Sequence, residues 1–392
     1  MTMLPPLAIE VAQIYQARFA GRPSLFRSPG RINLIGEHTD YNQGFVLPAA
    51  IDKAVYLAAG LRTDQRICLY AISYQEGFEV DIQEIRKTPN HWSNYLLGVA
   101  AVLREKGFTL GGFNLVVGSE LPVGAGLSSS AALECATIFA LNDLFGLGLE
   151  KQQMILLAQR AEHQFAGVLC GIMDQFASMF GKKDHVMKLD CRSMDFQYLP
   201  ADLDTYELVL FNSNVSHSLA GSAYNERRAE CARAVSLVGD RYPFVESLRD
   251  CTVPMLYECI QADDIALTRA RYVVEEIERL QQACSALEKG DKQSLGKLMF
   301  ETHDGLSKMY EVSCPETDFL VDYVRGNAAV AGARMMGGGF GGCTLNLVRK
   351  DQASVLIPEV SGAYKASMGR ALSVIEVRIE EGSSRLPGQA LM

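Results

Sequence analysis

G-R-I-N-L-I-G-E-H-T-D-Y, residues Gly30 to Tyr41, packs charged and hydrogen-bonding side chains closely around three large apolar ones. In an extended run, alternate side chains share a face, so Arg31, Asn33 and Ile35 are predicted to lie on one face. The two apolar residues between them then anchor the strand in the core. Arg31 is therefore expected to face a cleft.

The turn after this strand is strongly polar. Gly36 ends the extended run, and Glu37, His38 and Asp40 follow at once. Two carboxylates and an imidazole on one turn suit a ligand with many hydroxyl groups, such as a sugar. The alternative interpretation is a solvated turn after an edge strand.

A second motif, L-P-V-G-A-G-L-S-S-S-A-A-L-E at Leu121 to Glu134, runs from a glycine-bearing loop into a helix. Gly124 and Gly126 let the backbone approach an anion closely, and the free N–H groups of a first helical turn favour negative charge. An ordinary capped helix is the alternative, but three serines exceed what capping requires. The motif is not a Walker A loop, because no Gly-Lys-Ser/Thr follows. We interpret it as a phosphate-binding loop.

A third motif, C-G-I-M-D-Q-F at Cys170 to Phe176, places Asp174 among apolar neighbours. A buried charge is costly unless it is paired, so Asp174 needs a cation nearby or is partly protonated. Arg31 is the obvious candidate for that cation. The alternative is that Asp174 caps a helix.

A fourth motif, M-G-G-G-F-G-G-C at Met336 to Cys343, holds five glycines and leads into a strand. Such density indicates backbone with unusual torsions or close approach to a ligand. A plain flexible turn would have the same composition.

Length and composition exclude several classes of protein. The 392 residues are too many for one typical domain and fit two. No apolar run reaches the roughly 20 residues that span a bilayer, and the N-terminus lacks a signal-peptide pattern. A net charge of −9 without a basic run argues against nucleic acid or an anionic membrane as partner. The ten cysteines form no C-x-x-C pair, which indicates reduced thiols.

The pattern along the chain predicts an α+β protein with two domains, residues 1–190 and 191–392. In the first half, strand-like runs (54–59, 66–71, 112–117) alternate with helical runs (94–105, 129–144, 152–166). The second half has strand-like runs at 208–212, 342–348 and 371–379 and a long helical stretch at 262–309. The tail from Gly382 is expected to fray.

These motifs resemble those of the galactokinases, a family in the GHMP kinase superfamily. Residues 30–41 are similar to the galactokinase signature, and the serine-rich loop is similar to the superfamily motif P-x-G-x-G-L-x-S-S-A. The five-glycine loop resembles the third motif, with one departure: Met336 stands where Thr or Ser is expected. Smaller similarities, such as W-S-N-Y at Trp92 and S-A-Y-N-E-R-R at 222–228, extend the resemblance over residues 20–380.

The resemblance implies a two-domain GHMP kinase fold with the active site in the interdomain cleft. It implies catalytic roles for Asp174, beside the anomeric hydroxyl, and for Arg31, between Asp174 and the transferring phosphate. The implied sugar-binding residues are Glu37, His38, Asp40, Gly171 and Tyr224. The implied ATP-binding residues are Gly124, Ala125, Gly126, Leu127, Ser128, Ser129, Ser130 and Trp92, the last near the base.

The resemblance also implies a Mg²⁺ site at Ser130 and Glu162. A carboxylate, a hydroxyl and phosphate oxygens are a usual ligand set for this cation. From the residues alone, a solvated helix glutamate is the better interpretation of Glu162. For Trp92, core packing is nearly as good an interpretation as contact with the base.

The implied reaction transfers the γ-phosphoryl group of MgATP to O1 of galactose, in the cytoplasm and without an organic cofactor. The alternatives are an N-acetylgalactosamine kinase and a non-catalytic, sugar-sensing regulator derived from galactokinases. Such regulators lose residues in the serine-rich motif, whereas S-S-S-A-A is intact here, so catalysis is favoured. The oligomeric state stays open, with a monomer favoured.

Overall fold

The computed structural model describes residues 4–89, 91–216 and 220–387. Its strands are β1 (Ser24–Asn33), β2 (Phe45–Val46), β3 (Pro48–Leu61), β4 (Arg66–Ala71), β5 (Glu76–Asp81), β6 (Phe113–Ser119), β7 (His185–Asp190), β8 (Phe196–Pro200), β9 (Tyr206–Ser216), β10 (Val330–Met335), β11 (Gly341–Arg349), β12 (Ser373–Val377) and β13 (Ser384–Arg385). Its α-helices are α1 (Pro6–Phe19), α2 (His91–Glu105), α3 (Ser129–Phe145), α4 (Lys151–Ala161), α5 (Met173–Phe180), α6 (Ala220–Gly239), α7 (Val253–Cys259), α8 (Ile265–Glu288), α9 (Lys292–Lys308), α10 (Pro315–Val324) and α11 (Ala353–Met368).

A six-stranded sheet organises the first half of the chain, in the order β13-β1-β3-β6-β4-β5. Its neighbours pair antiparallel except β4 and β6, which are parallel. Alternate residues of β3 point to opposite faces. Tyr56 and Ala58 pack with α1, whereas Val55 and Leu57 belong to the main core with α2 to α5. Both faces of this sheet are therefore buried by helices.

An antiparallel sheet in the order β10-β11-β9-β12 organises the second half. Residues of β9 such as Val209 and Phe211 pack with α10 and α11, while Leu208 and Leu210 join the main core, which includes α9. A separate apolar cluster joins α6, α7 and α8. A third sheet has the order β2-β7-β8, and its β7 packs against β3 of the first sheet.

The chain crosses between the two halves more than once. The predicted domain division at 190/191 falls in the turn between β7 and β8, which pair with each other. At the other end, β13 pairs with β1, so the last described strand lies in the sheet of the first half. The division into 1–190 and 191–392 stays a prediction.

Most predicted elements are found with bounds shifted by a few residues, and two expectations were wrong: the single helical stretch at 262–309 and the frayed tail from Gly382. The helical stretch 262–309 is two helices, α8 and α9, because Gly290 adopts a positive φ of 67° between them. The helical run 152–166 changes after Ala161 into a π-helical turn, Glu162–Ala166. The tail does not fray at once, since Ser383 is buried and β13 follows it; residues 388–392 lie outside the described residues.

Within the described part of the chain, no helix is both long and apolar enough to cross a membrane.

Candidate active site

A cavity of about 360 Å³ lies where β1, the serine-rich loop, the loop before α5 and the glycine-rich loop meet. Residues from all four sequence motifs line it. The predicted site residues among them are Arg31, Glu37, His38, Asp40, Gly124, Gly126, Leu127, Ser128, Ser129, Ser130, Glu162, Gly171, Asp174 and Tyr224. Of the other two, Ala125 is 1% exposed and turned into the core, and Trp92 lines an adjacent pocket.

An ion pair between Arg31 and Asp174 lies in the wall of this cavity. The Arg31 Nε donates to Asp174 Oδ1 at 2.8 Å, and the Ser128 hydroxyl donates to Oδ2 at 2.6 Å. Arg31 also donates to the carbonyl oxygen of Gly126. Burial opposes the charge of Arg31, but the carboxylates of Asp174 and Glu37 outweigh it and raise the pKa of the guanidinium. Arg31 is therefore a fixed cation between the serine-rich loop and α5.

The structure decides two expectations about this pair. Asp174 lies in the first turn of α5, whose N-cap is Ile172, so Asp174 does not cap the helix. Of the three residues predicted to share a face, only Arg31 lines the cavity. Pairing is regular from Arg31 to Asn33, where β1 ends, so Ile35 lies beyond the strand.

His38 is a neutral imidazole in an aromatic wall. Its ring lies 5.4 Å from the ring of Tyr224 and 4.9 Å from that of Tyr310, between centroids. Its Nδ1 is 2.7 Å from the Tyr41 hydroxyl oxygen, and its buried Nε2 has no partner among the described residues. Burial lowers the pKa of His38 to about 4. His38 thus contributes an uncharged imidazole to the lining of the cavity.

Asp40 and Gly171 are fitted closely to each other. A Cβ placed on Gly171 would lie 1.8 Å from Asp40 Oδ2, so only glycine fits there without moving the carboxyl group. Burial, together with the charge of Asp174, raises the pKa of Asp40 to about 7. Asp40 is therefore poised to change protonation near neutral pH.

Glu37 is buried and bound from the second half of the chain. Its Oε1 accepts from Arg334 Nη2 at 3.0 Å and from the Gly337 N–H at 2.9 Å. Burial raises the pKa of Glu37, but the charges of Arg334 and Arg31 outweigh that effect and hold the pKa below its usual range. Glu37 is ionised at neutral pH.

The serine-rich loop lies directly against the glycine-rich loop. Gly126 has a φ of +76°, and a Cβ on it would lie 3.0 Å from the Met336 carbonyl oxygen. Met336 itself is 1% exposed and packs in the core. The missing hydroxyl at Met336 therefore removes nothing from the cavity wall, to which this part of the loop contributes Gly337 to Gly339.

Ser130 and Glu162 meet at the wall of the cavity formed by α3 and the π-helical turn. The Ser130 hydroxyl donates to Glu162 Oε1 at 2.8 Å, and Gln175 Nε2 donates to Oε2 at 2.7 Å. Glu162 is 6% exposed, so its interpretation as a solvated helix residue was wrong. Burial raises the pKa of Glu162. Within the described residues, no group of three or more His, Cys, Asp and Glu side chains is arranged to hold a metal.

A second pocket of about 230 Å³ adjoins the cavity and shares Tyr95, Val123, Ser129 and Ser130 with it. Trp92 and Tyr74 supply aromatic surface there. The Trp92 indole is 8% exposed and its Nε1 donates to Glu76 Oε2 at 3.1 Å. Its lining is mainly aromatic and aliphatic, which suits a heteroaromatic ring.

Comparison with known proteins identifies the family. The galactokinase galactose-binding signature matches residues 13–61, and the N-terminal and C-terminal domains of GHMP kinases match residues 94–182 and 283–366. A galactokinase of Thermotoga petrophila is 41% identical over 360 residues, covering 92% of this chain and 99% of that protein. The chain belongs to the galactokinase family. The predicted family and the α+β GHMP kinase fold are confirmed.

Other members agree with this assignment. A Roseiflexus galactokinase is 39% identical over 97% of this chain and 98% of its own length. The crystal structure of Lactococcus lactis galactokinase complexed with galactose matches with a TM-score of 0.92 and 35% identity, covering 96% of this chain and 99% of that one. Methanococcus jannaschii mevalonate kinase, at 18% identity and a TM-score of 0.66, shares the fold.

Sequence reasoning missed several residues of this galactokinase site. Arg334, Gln175 and Tyr310 contact predicted site residues, and each is buried. Only Arg334 left a signal in the sequence: it is a lone charge in the apolar run V-A-G-A-R-M-M that precedes the glycines.

Proposed function

We propose that this protein transfers the γ-phosphoryl group of ATP to O1 of galactose, giving galactose 1-phosphate and ADP. The observation that carries the proposal is the ion pair between Arg31 and Asp174. Through Arg31 and Ser128 this pair is bonded to the serine-rich loop, and it lies in the same cavity as the polar turn at 37–40. One acid–cation pair is thus within reach of a phosphate on one side and a sugar hydroxyl on the other.

The sugar is proposed to bind against Glu37, His38, Asp40, Gly171 and Tyr224. An ionised carboxylate accepts hydrogen bonds only, a neutral imidazole accepts or donates, and a tyrosine hydroxyl does both. Such a set pairs with sugar hydroxyls of defined configuration. Support comes from the Lactococcus lactis relative, whose crystal structure holds galactose.

The nucleotide is proposed to place its phosphates on the loop from Gly124 to Ser130, at the start of α3. Free backbone N–H groups and the helix dipole at that end favour anions. The base is proposed to enter the adjoining pocket beside Trp92, because that pocket shares Ser129 and Ser130 with the cavity.

The residues present fit a Mg²⁺ ion carried in with ATP. Ser130 and Glu162 are hard oxygen donors 2.8 Å apart, and no cation is bonded to Glu162 among the described residues, although burial disfavours its charge. Ser130 and Glu162 would hold the ion, which when bound neutralises charge on the phosphate oxygens.

Asp174 and Arg31 are proposed to act on the reacting atoms. Asp174 either takes the proton from O1 as it attacks, or mainly orients O1 and Arg31 while the proton leaves late in a loose transition state. Arg31 stabilises negative charge on the transferring phosphoryl group.

We further propose that the enzyme works as a monomer in the cytoplasm. Support for a reducing compartment comes from its cysteines, since all ten are free thiols and seven are buried.

A coupled assay of ADP release tests the proposal with galactose, glucose, N-acetylgalactosamine, mevalonate and homoserine. We expect turnover with galactose and strong rejection of glucose. Preference for N-acetylgalactosamine would indicate a kinase for that sugar. Sugar binding without ADP release would indicate a non-catalytic regulator.

A further inference from the structure

Arg334 is a fully buried charge that belongs to the second half of the chain but bonds to the first. It lies in β10 with none of its surface exposed. Its Nη2 is 3.0 Å from Oε1 of Glu37, which is 2% exposed and lines the cavity. The partners are 297 positions apart in the chain. Two buried charges are therefore paired across the junction between the two sheets.

The rest of the guanidinium is bonded to backbone on both sides of this junction. Its Nε donates to the Leu34 carbonyl oxygen at 2.9 Å, Nη1 donates to that of Met335 at 2.9 Å, and Nη2 also donates to that of Asn33. A planar fork with fixed donor directions makes several such bonds at once, which an ammonium group does not. Arg334 thus fixes the end of β1 relative to the start of the glycine-rich loop.

Glu37 receives its orientation from the same place. The Gly337 N–H donates to Oε1 at 2.9 Å, so the carboxylate oxygen bonded to Arg334 is also bonded to the glycine-rich loop. Both donors lie in the second half of the chain. Arg334 and Gly337 therefore fix the position of this carboxylate oxygen from the second half of the chain.

Stability alone is a weak reason for such a pair. Replacing a buried ion pair by apolar residues is often neutral or stabilising, because desolvation offsets the attraction. A buried carboxylate that must accept a hydrogen bond from a ligand does need a cation beside it, since burial otherwise favours the protonated form.

We propose that Arg334 is a positioning residue for sugar recognition: it orients Glu37 and, together with Arg31, keeps it ionised, so that Glu37 accepts a hydrogen bond from a substrate hydroxyl. This inference rests on the proposed function of the cavity as the galactose site. Arg334 therefore affects binding of the sugar and not binding of the nucleotide.

The test compares Arg334→Met, Arg334→Lys, Glu37→Gln and the double variant Arg334→Met with Glu37→Gln in the galactose-dependent ADP-release assay. Arg334→Met is expected to raise the KM for galactose at least about 10-fold while the KM for ATP stays within about twofold. Arg334→Lys, which keeps the charge, is expected to raise the KM for galactose by less than Arg334→Met does. In the Glu37→Gln background, Arg334→Met should add no more than about twofold, because its effect runs through Glu37.

Arg269→Met is the matched control. Arg269 is also a buried, ion-paired arginine of the second half, bonded to Glu311 at 2.6 Å, but Glu311, unlike Glu37, does not line the cavity. The Arg269→Met variant should have a lower melting temperature than the wild type and an unchanged KM for galactose.

Two results would overturn the inference: equal rises in the KM values for galactose and ATP, or the full effect of Arg334→Met persisting in the Glu37→Gln background. If Arg334→Met does not fold, the same two criteria apply to Arg334→Lys, with galactose affinity measured by calorimetry. Wild-type protein that releases no ADP with galactose would refute the proposed function instead.

Discussion

Arg31 and Asp174 are 143 positions apart in the chain, yet their side chains form one hydrogen-bonded unit in the cavity. Arg31 is also bonded to Gly126 and Asp174 to Ser128, so each side chain contacts the serine-rich loop as well as its partner. At the residue scale, this unit is the strongest candidate for the chemical step, because it joins a cation to a carboxylate at the point where phosphate and sugar would meet.

Removing either member should slow the chemical step. We expect Asp174→Asn and Arg31→Ala each to lower kcat by at least about 100-fold while galactose affinity, measured by calorimetry, is largely retained. The double variant should lose less than the product of the two, because the pair acts as a unit. Asp190→Asn is the control, since Asp190 pairs with Arg249 outside the cavity. Losses confined to KM would mean that the pair only binds the sugar.

Because its pKa is raised, Asp40 is expected to make galactose binding depend on pH. Its pKa is about 7 in the free protein, so it is protonated below that pH and ionised above it. If galactose hydroxyls donate to the ionised form, binding below pH 7 must release a proton. The KM for galactose should then fall by about 10-fold from pH 6 to pH 8, and Asp40→Asn should flatten this change. A wild-type profile that Asp40→Asn leaves unaltered would assign the titration to another group.

At the scale of elements, the segment from α4 to α5 turns three functional residues toward the cavity. The π-helical turn follows α4 and sets Glu162 against Ser130, the loop after it carries Gly171, and α5 begins with Asp174 in its first turn. Single π-helical turns occur often at functional sites, because the extra residue rotates the side chains that follow. Here the turn follows the regular helix α4 and is itself part of the cavity wall.

Glu162 should control the metal requirement. Glu162→Gln removes the charge from a hydroxyl–carboxylate donor pair, so we expect a higher Mg²⁺ concentration for half-maximal activity and nearly unchanged binding of galactose alone. Glu105→Gln, which alters an exposed carboxylate paired with Arg160, should leave Mg²⁺ dependence unchanged. A Glu162→Gln variant with the wild-type Mg²⁺ titration would contradict the assignment.

Gly171 should be intolerant of even one methyl group. Gly171→Ala places a Cβ 1.8 Å from Asp40 Oδ2, so one of the two elements must move. We expect the KM for galactose to rise at least about 10-fold, with a smaller change in the KM for ATP. Gly111→Ala is the matched control, because its nearest atom would be 3.7 Å away in the side chain of Phe145. If the two variants have the same KM values, the Asp40 carboxyl group can move aside without weakening galactose binding.

At the scale of the whole molecule, the last described segment closes the fold by returning to β1. The Ser383 hydroxyl lies 2.8 Å from that of Ser28 and donates to the Ser178 carbonyl oxygen at 2.9 Å. The two serines are 355 positions apart in the chain, and both are buried. The segment therefore connects the sheet of the first half to the end of the second.

This closure should contribute to stability without affecting catalysis. Ser383→Ala should lower the free energy of unfolding by about 1–3 kcal/mol, because the buried Ser28 hydroxyl loses its partner. Ser28→Ala should lower it by less, because the Ser383 hydroxyl still donates to Ser178. The double variant should lose less than the sum. Denaturant unfolding measures the stability, and kinetic constants for galactose serve as the control. Single variants as stable as the wild type would show that the hydroxyl pair contributes nothing.

The sequence by itself determined the family, the mixed α and β character and the chemistry of each motif. These are properties of local pattern: residues 30–41, the serine-rich loop and the five-glycine loop are contiguous, and the pairing of Asp174 followed from the cost of an unpaired buried charge. Only the tertiary structure decided which partners meet across the chain, such as Arg334 with Glu37 and Gln175 with Glu162. The register shift in β1, the π-helical turn and the buried tail also escaped prediction, because packing against distant elements overrides local propensity at such positions.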